Sequence, residues 1–149
     1  MSSKYTHEQI VQFMEQRIPF NRYLGVRVTE MRDGFARLEL AFRDELVGDP
    51  YRPALHGGVV STLIDTCGGC AVWTKVEVMD RVSTVDLRVD YLRPGPLKDL
   101  ACEGTVVRAG NRVGVADMKL FAIDYPDRIV ATGKGVYNIV RRNEGETAR

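Results

Sequence analysis

The sequence predicts an α+β domain in which an antiparallel β-sheet packs against one long central helix. Two observations support this prediction. Residues 56 to about 78 carry apolar side chains around most of a helical wheel, and segments with alternating polar and apolar residues lie before and after them. Because one sheet covers only one side of a helix, we expect a second copy of the chain, or another layer of structure, to cover the other side, and a homo-oligomer is the expected result.

The predicted elements follow from periodicity and turn residues. A short N-terminal helix is predicted over Thr6 to Arg17, with its first residue as the N-cap and Pro19 ending it. Strands are predicted over Gly25–Met31 and Phe35–Phe42, with a turn at Asp33-Gly34 between them. The remaining strands are Val85–Tyr91, Ala101–Arg108, Val113–Ile123 and Ile129–Val140. In the strand that begins at Val85, alternation predicts that one face carries Val85, Leu87, Val89 and Tyr91.

Length and composition exclude several classes of protein. The 149 residues fit one domain, 1–149, with a core over about 20–140 and a polar tail over 141–149. The net charge of +1 disfavours binding to nucleic acid. The N-terminus lacks the apolar segment and cleavage site of a secretion signal, and three cysteines are an odd number, so we expect a cytoplasmic protein. No membrane segment is predicted, since the longest weakly charged stretch contains Asp65.

The motif His56-Gly57-Gly58 lies where the long helix should begin. Backbone N–H groups at a helix N-terminus have no partner within the helix, and glycine leaves them accessible. Such groups stabilise a developing anion, as in an oxyanion hole. The alternative for this motif alone is a flexible glycine turn capped by the histidine.

Asp65 lies in the middle of the most apolar helix. An unpaired carboxylate is costly there, and no Lys or Arg lies three or four residues away. The alternative to a functional role is an ion pair with a cationic side chain of the sheet. Small and polar residues at helical spacing predict a narrow cleft along this side of the helix: Gly58, Ser61, Thr62, Asp65, Gly68 and Gly69.

Two segments carry a resemblance to a known family. The run LHGGVVSTLIDTCGGCAVW, Leu55 to Trp73, and the run STVDLRVDYLRPG, Ser83 to Gly95, resemble the PaaI-type branch of the hotdog-fold acyl-CoA thioesterases. The number and order of the other strands extend the resemblance over residues 20 to 140. It implies a hotdog fold, hydrolysis of an acyl-CoA to free acid and coenzyme A, and no cofactor beyond the coenzyme A of the substrate. It also implies a homodimer, or a homotetramer of paired dimers, with active sites at the dimer interface.

The resemblance implies a role for several residues by position. The N–H of Gly57 would polarise the thioester carbonyl, and Asp65 would activate water or attack the carbonyl directly. His56 would shape the oxyanion turn, and Thr84 would help to hold the water. Residues expected to contact the substrate are Gly58, Ser61, Thr62 and Arg93.

Two positions fit this pattern less closely. By strict alternation, Thr84 shares a strand face with Asp86 and Arg88 rather than with Val85. Many family members have an Asn before the His-Gly-Gly motif, whereas Asp49 matches that position only with one residue inserted. No residue is therefore assigned the role of that Asn.

Other functions are weighed against hydrolysis. A hotdog hydratase or dehydratase would need a catalytic His, but His56 lies at a turn and no second His follows it. A non-catalytic acyl-CoA-binding domain would have no need of a carboxylate in the helix. The acyl group stays open, because aromatic acyl groups are typical of the branch and medium-chain groups suit an apolar tunnel equally.

The cysteines and large aromatic residues are interpreted as structural. Cys67 and Cys70 form a CxxC inside the helix, without the further ligands that a zinc site needs and far from the helix N-terminus that a redox pair needs. We therefore predict no metal. Trp73, Phe121 and Tyr137 are expected in the core or at an interface.

Overall fold

The long central helix, α3 (Gly57–Trp73), packs against five strands of a six-stranded antiparallel sheet in the computed structural model, which describes residues 6–77 and 80–142. The predicted α+β architecture is therefore confirmed. The strand order across the sheet is β1-β2-β6-β7-β8-β5, so that β5 forms one edge. The strands are β1 (Arg27–Arg32), β2 (Phe35–Leu40), β5 (Arg81–Tyr91), β6 (Leu100–Ala109), β7 (Val113–Ala122) and β8 (Ile129–Val140). The end of the predicted polar tail, residues 143–149, lies outside the described residues.

A second, two-stranded sheet lies just before α3 and was not predicted. It pairs β3 (Val47–Asp49) with β4 (Ala54–Leu55). The backbone N–H of Leu55 also donates to the carbonyl of Gly95, at 2.9 Å. These contacts fix the chain that leads into the first turn of α3.

The N-terminal segment is more structured than predicted. Helix α1 (His7–Gln12) begins with the predicted Thr6 cap and runs into a π-helical turn, Phe13–Arg17. Pro19 ends this segment and is also the first residue of a second helix, α2 (Pro19–Leu24). At that position the missing N–H has no cost, because the first N–H groups of a helix have no partner within it. Gly25 closes α2 with a φ of 80°, which explains why β1 begins later than predicted.

Helix α3 ends earlier than predicted because its C-terminus is capped from the sheet. The hydroxyl of Thr74 donates to the carbonyl of Ala71 at 2.6 Å and accepts the N–H of Gly34 at 2.8 Å. Gly34 lies in the predicted Asp33-Gly34 turn, with a φ of 74°. The turn between β1 and β2 and the end of α3 therefore hold each other in place.

One chain buries only part of the surface of α3. The fully buried residues of α3 are Val60, Leu63, Ile64, Cys67, Gly68, Cys70, Ala71 and Val72. The half-buried ones follow one another at helical spacing and include Val59, Thr62, Thr66, Gly69 and Trp73. The sheet thus leaves a stripe of the helix only partly covered, as expected for a single copy of the chain.

Of the residues interpreted as structural, the cysteines, Phe121 and Tyr137 lie in the core, and Trp73 is partly buried against it. All three cysteines are buried, and burial raises the pKa of the Cys67 and Cys70 thiols. Cys67 donates through Sγ to the carbonyl of Cys102 at 3.3 Å. Phe121 is buried, and the ring of Trp73 meets Phe13 edge to face at 5.2 Å between centroids. Within residues 6–77 and 80–142, no cluster of three or more His, Cys, Asp or Glu residues could hold a metal ion, and no helix is long and apolar enough to span a membrane.

A buried ion pair fastens the last strand. Asp80, only 4% exposed, accepts hydrogen bonds from the guanidinium of Arg141 at 2.7 Å and from the backbone N–H groups of Arg142 and Glu77. Arg141 also donates to the backbone carbonyl of Asn111 at 3.0 Å, in the turn between β6 and β7. One carboxylate thus joins the start of β5, the end of β8 and a neighbouring turn.

We predict that Asp80 makes stability depend on pH. Burial alone would raise the pKa of this carboxyl, but the N–H donors of Arg142 and Glu77 and the Arg141 guanidinium outweigh burial and lower it. Because the folded pKa lies below the unfolded value of about 3.9, the stabilisation is complete above that value and is lost as the pH falls through the folded pKa.

The test is urea unfolding of the wild type and Asp80→Asn at pH 7 and at a series of pH values from about 4 down to about 2, where the folded carboxyl is titrated. Asp80→Asn should lower the free energy of unfolding by about 1–3 kcal/mol at pH 7. It should also reduce the loss of stability on acidification, because the titrating carboxyl is gone. Glu30→Gln, which removes an exposed ion pair with Arg32, should change stability by less than about 1 kcal/mol and serves as the control. An unchanged pH dependence in Asp80→Asn would show that another group carries it.

Candidate active site

The start of α3 presents one unpartnered backbone donor. His56 is the N-cap of α3, the role it has in the alternative interpretation of the motif, and its Nδ1 accepts the N–H of Gly58 at 2.8 Å. The backbone N–H of His56 donates to the carbonyl of Leu46. Within the described part of the chain, the N–H of Gly57 donates to no acceptor. Of the two glycines, therefore, Gly57 has the free N–H at the positive end of the helix dipole, and that of Gly58 is already used.

Tyr91 of β5 holds this first turn against the sheet. Its hydroxyl donates to the carbonyl of Gly57 at 3.0 Å, and a Cβ placed on Gly57 would lie 3.5 Å from its ring. Gly57, Val60, Tyr91 and Arg93 lie together around a cavity of about 350 Å³, here called the glycine cavity. The structure thus brings Arg93, a predicted substrate contact, to the same cavity as Gly57.

Asp65 has a polar partner from the sheet. The hydroxyl of Thr84 donates to Oδ1 of Asp65 at 2.7 Å. The residue is half-buried rather than fully buried, and no Lys or Arg side chain among the described residues forms an ion pair with it. The alternative of a structural ion pair therefore has no support in the described residues.

A β-bulge brings Thr84 to Asp65. Thr84 pairs with Tyr137 of β8, but Asp86 pairs with Val136, so that Val85 is the extra residue. The predicted alternation is wrong at this point. Val85 is 65% exposed instead of sharing a face with Leu87, and Thr84 lies on the helix side of the sheet instead of sharing a face with Asp86.

Tyr137 makes a second contact from the sheet to the same residue. Its side chain is only 1% exposed, and its hydroxyl donates to the backbone carbonyl of Asp65 at 2.9 Å. Burial, followed by the charge of the nearby Asp65, raises the pKa of Tyr137, so the hydroxyl stays protonated and remains a donor. Tyr137 lies in the core, as predicted, and its contact with Asp65 is a feature that the sequence does not predict.

Two glycines make room for the Tyr137 ring. A Cβ on Gly135 would lie 2.5 Å from the Tyr137 hydroxyl, and a Cβ on Gly68 would clash with the same oxygen and lie 2.8 Å from the sulfur of Met118. The cleft predicted along the small residues of α3 is therefore absent at Gly68, because Tyr137 fills that space. A Gly-x-Tyr pattern within a strand, as at residues 135–137, is the signal that could have predicted this packing.

The remaining predicted site residues have local partners. The hydroxyl of Ser61 donates to the carbonyl of Gly58 at 3.2 Å, within the helix. Ser61 and Thr62 are half-buried and do not line the glycine cavity. The carboxylate of Asp49 accepts the backbone N–H groups of Tyr51 and the following residue at 2.9 and 3.0 Å, which is a turn-stabilising arrangement.

The predicted site residues thus form two groups in one chain. Gly57, His56 and Arg93 lie around the start of α3, whereas Asp65 and Thr84 lie beside its middle. Asp65 follows Gly57 by eight positions of continuous helix, or roughly 12 Å along the helix axis at about 1.5 Å per residue. One thioester carbonyl cannot contact both groups within a single chain, since catalytic hydrogen bonds need about 3 Å.

Comparison with known sequences and structures points to one family. A family model described as the thioesterase superfamily matches residues 53–125. The medium/long-chain acyl-CoA thioesterase YigI of Escherichia coli is 33% identical over 137 residues, covering 80% of this chain and 88% of the relative. A protein of Halobacterium salinarum that is provisionally named an esterase is 38% identical over 126 residues, covering 80% of this chain and 83% of the relative.

Solved structures agree with the sequence matches. A thioesterase family protein from Silicibacter pomeroyi superposes with a TM-score of 0.83 at 26% identity, covering 92% of this chain and 100% of the other. A protein from Shewanella oneidensis related to the thioesterase superfamily superposes with a TM-score of 0.79 at 28% identity, covering 91% of this chain and 99% of the other. The similarity extends over nearly the whole length of both structures.

We predict that Gly68 and Gly69 differ sharply in their tolerance of a methyl group. Gly68→Ala should destabilise the protein by about 1–3 kcal/mol, because the new Cβ displaces the Tyr137 hydroxyl and Met118. Gly69→Ala is the matched control, because its Cβ would meet the Tyr137 ring at an ordinary 3.5 Å. This change should be neutral or should stabilise the helix by up to about 1 kcal/mol. Urea unfolding of both variants at one protein concentration measures the difference. Equal stability of the two would contradict the proposed packing of Tyr137.

Proposed function

The chain belongs to the thioesterase superfamily and is a thioester hydrolase, and from this membership we propose that it hydrolyses acyl-CoA thioesters with Asp65 and the Gly57 N–H as the reacting groups. The single observation that supports this assignment most directly is the hydrogen bond of 2.7 Å from Thr84 to Asp65. It orients a carboxylate on an otherwise apolar helix without neutralising its charge.

The Gly57 N–H is proposed to polarise the thioester carbonyl. It lies at the N-terminus of a 17-residue helix and donates to no group of the described chain. When water adds to the carbonyl carbon, the oxygen gains negative charge, which an N–H at the positive end of a helix stabilises. The His56 side chain acts indirectly, since its bond to the Gly58 N–H fixes the conformation of the turn.

Asp65 is proposed to act as the general base or as the nucleophile. Thr84 occupies Oδ1, which leaves Oδ2 to accept a proton from water, and the Thr84 oxygen can accept a second hydrogen bond from the same water. In the general-base route, the water oxygen bonds to the carbonyl carbon as Asp65 takes its proton. The C–S bond then breaks, and the departing coenzyme A sulfur recovers that proton.

A two-fold dimer would unite the two groups. If the α3 helices of two copies lie antiparallel, Gly57 of one copy lies beside Asp65 of the other, and the dimer contains two shared sites. Two features support this arrangement. The uncovered stripe of α3 includes Thr62 and Gly69 around Asp65, and β5 is a long edge strand whose bulged residue, Val85, is largely exposed. An assembly of two such dimers into a homotetramer is a further proposal from the family resemblance.

Medium-chain acyl groups are the proposed substrates, ahead of aromatic ones such as phenylacetyl. The support is the name of the Escherichia coli relative, a medium/long-chain acyl-CoA thioesterase at 33% identity. The PaaI-type resemblance supports the aromatic alternative. A panel of octanoyl-, lauroyl- and phenylacetyl-CoA, followed by release of free thiol, separates the two.

Asp65→Asn should abolish most of this activity while leaving the fold intact. The amide keeps the size of the side chain and can still contact Thr84, but it neither takes a proton nor attacks the carbonyl. The expected loss in kcat is at least about 10²–10⁴, measured as thiol release from the best substrate of the panel. Asp117→Asn, on the far surface of the sheet in an ion pair with Lys134, should retain activity. An active Asp65→Asn would remove Asp65 from the mechanism, and an inactive wild type that still binds acyl-CoA would indicate a binding domain.

Shared sites predict complementation between two inactive variants. Gly57→Pro removes the donor N–H at a helical position that suits proline, and the φ and ψ of His56, −59° and 132°, suit a residue before proline. Gly57→Ala keeps the N–H and should stay active, which controls for the added side chain. Removing the donor should lower kcat by about 10²–10³.

The experiment co-expresses Asp65→Asn and Gly57→Pro with different tags. A heterodimer with shared sites has one site with both defects and one wild-type site, so it should recover up to half of the activity. If each site belongs to one chain, every site keeps a defect and nothing is recovered. Absence of activity in a heterodimer verified by native mass spectrometry would exclude the shared site.

A further inference from the structure

Tyr137 of β8 is a buried polar residue that the proposed reaction leaves without a role. Its side chain is 1% exposed, and its hydroxyl donates to the backbone carbonyl of Asp65 at 2.9 Å. Inside an α-helix such a carbonyl already accepts the N–H of the residue four positions later, so α3 does not need this second donor to form. The bond instead joins the sheet to α3 at the residue that carries the proposed base.

The packing around Tyr137 is fitted to its hydroxyl and not only to its ring. Phenylalanine would fill the same apolar space without needing a hydrogen-bond acceptor. A Cβ on Gly68 would clash with the hydroxyl oxygen, and a Cβ on Gly135 would lie 2.5 Å from it. Glycine inside a helix or a strand lowers stability relative to alanine. The two glycines therefore keep room for a hydroxyl at a cost in stability.

Tyr137 and Thr84 hold different parts of Asp65. The two residues are register partners in the pairing of β8 with β5, next to the bulge at Val85. The Thr84 hydroxyl donates to the side chain of Asp65, at Oδ1, whereas the Tyr137 hydroxyl donates to its backbone. Thr84 therefore limits rotation of the carboxylate, and Tyr137 limits movement of the helical turn from which the carboxylate extends.

Tyr137 has no direct part in the reaction. Burial, and after it the charge of Asp65, raises the pKa of Tyr137, so the proton stays on the hydroxyl throughout the pH range of an enzyme assay. The residue does not line the glycine cavity either, so it does not contact a thioester there. Any effect of its hydroxyl on the reaction therefore passes through Asp65.

We propose that Tyr137 is a positioning residue for the hydrolysis, an inference that rests on the proposed function. By holding the Asp65 backbone against β8, its hydroxyl sets the place of the carboxylate before water and the thioester arrive. Rates depend steeply on such geometry, since a displacement of about 1 Å can lower a rate by about 10². Loss of the Tyr137 hydroxyl should have a smaller effect, because the Thr84 contact remains.

The first test is Tyr137→Phe, which removes the hydroxyl and keeps the ring. This change should lower kcat by about tenfold and leave KM unchanged, since it disturbs the base and not the binding of substrate. Tyr23→Phe removes a hydroxyl from a ring that is 75% exposed, and it should match the wild type in both constants. Both variants are assayed by thiol release from the best substrate of the acyl-CoA panel. A wild-type kcat for Tyr137→Phe would contradict the inference.

A background without the carboxylate separates positioning from general support of the fold. In Asp65→Asn, the added change Tyr137→Phe should leave the residual kcat as it is, because no base remains to be positioned. The residual rate is followed at high enzyme concentration. If the hydroxyl only supports the fold, Tyr137→Phe lowers kcat by the same factor in both backgrounds, and this result would overturn the inference.

A repacked variant covers the case in which Tyr137→Phe folds poorly. In the double variant Gly68→Ala/Tyr137→Phe, the alanine methyl occupies the space that the hydroxyl leaves, and its remaining close neighbour is the flexible end of Met118. Urea unfolding should show this variant to be at least as stable as Tyr137→Phe, yet its kcat should be equally low. Recovery of the wild-type kcat would show that filled space matters and the hydrogen bond does not, so Tyr137 would not be a positioning residue.

The two proposals fail separately. If Asp65→Asn keeps the wild-type kcat, the proposed function is wrong about its base, and Tyr137 has nothing to position. If Asp65→Asn is inactive but Tyr137→Phe is fully active, the proposed function stands and the role of Tyr137 is wrong.

Discussion

The hydrogen bond from Thr84 to the Asp65 carboxylate depends on one irregularity in the pairing of β5 with β8. The bulge at Val85 changes which side of the strand faces the helix, and Thr84 thereby comes within 2.7 Å of the carboxylate. Tyr137, the register partner of Thr84, contacts the carbonyl of the same residue. A regular strand would place the Thr84 hydroxyl on the opposite surface and leave the carboxylate among apolar neighbours without a donor. The register of two strands therefore determines whether the Asp65 carboxylate has a hydroxyl donor from the sheet.

The two ends of α3 are also fixed by contacts outside the helix. At its start, the His56 ring takes one N–H and Tyr91 takes the carbonyl of Gly57, so that the free donor of Gly57 is held on a rigid turn. At its end, Thr74 links the last turn to the β1–β2 hairpin. A catalytic hydrogen bond requires this kind of support, because its geometry must be set before the substrate arrives. Positive charge is also concentrated near that turn. Arg93, Lys98 and Arg128 line one cleft there, although the chain as a whole is nearly neutral.

Local patterns in the sequence predicted the parts of the fold that depend on neighbouring residues. The alternation from Phe35, the start of the long helix at the His56-Gly57-Gly58 motif and the turn at Gly34 each depend on residues a few positions apart, and the structure agrees with all three. The features that were missed depend on pairing between distant segments. The bulge at Val85 is defined only by its partner strand, and the room for Tyr137 is provided by a glycine on α3 some 70 positions earlier in the chain. Helix α2 was missed for a different reason, because proline was interpreted only as a terminator and not as a first residue.

The contact between Trp73 and Phe13 has a practical consequence for spectroscopy. Trp73 is the one tryptophan of the chain, and it lies at the last residue of α3, with its ring against the N-terminal segment. Its indole N–H is buried and has no hydrogen-bond partner among the described residues. Fluorescence excited at a wavelength that tyrosine does not absorb therefore originates from one partly buried tryptophan. Its emission maximum reports on the docking of the N-terminal segment at the end of the central helix, separately from the rest of the sheet.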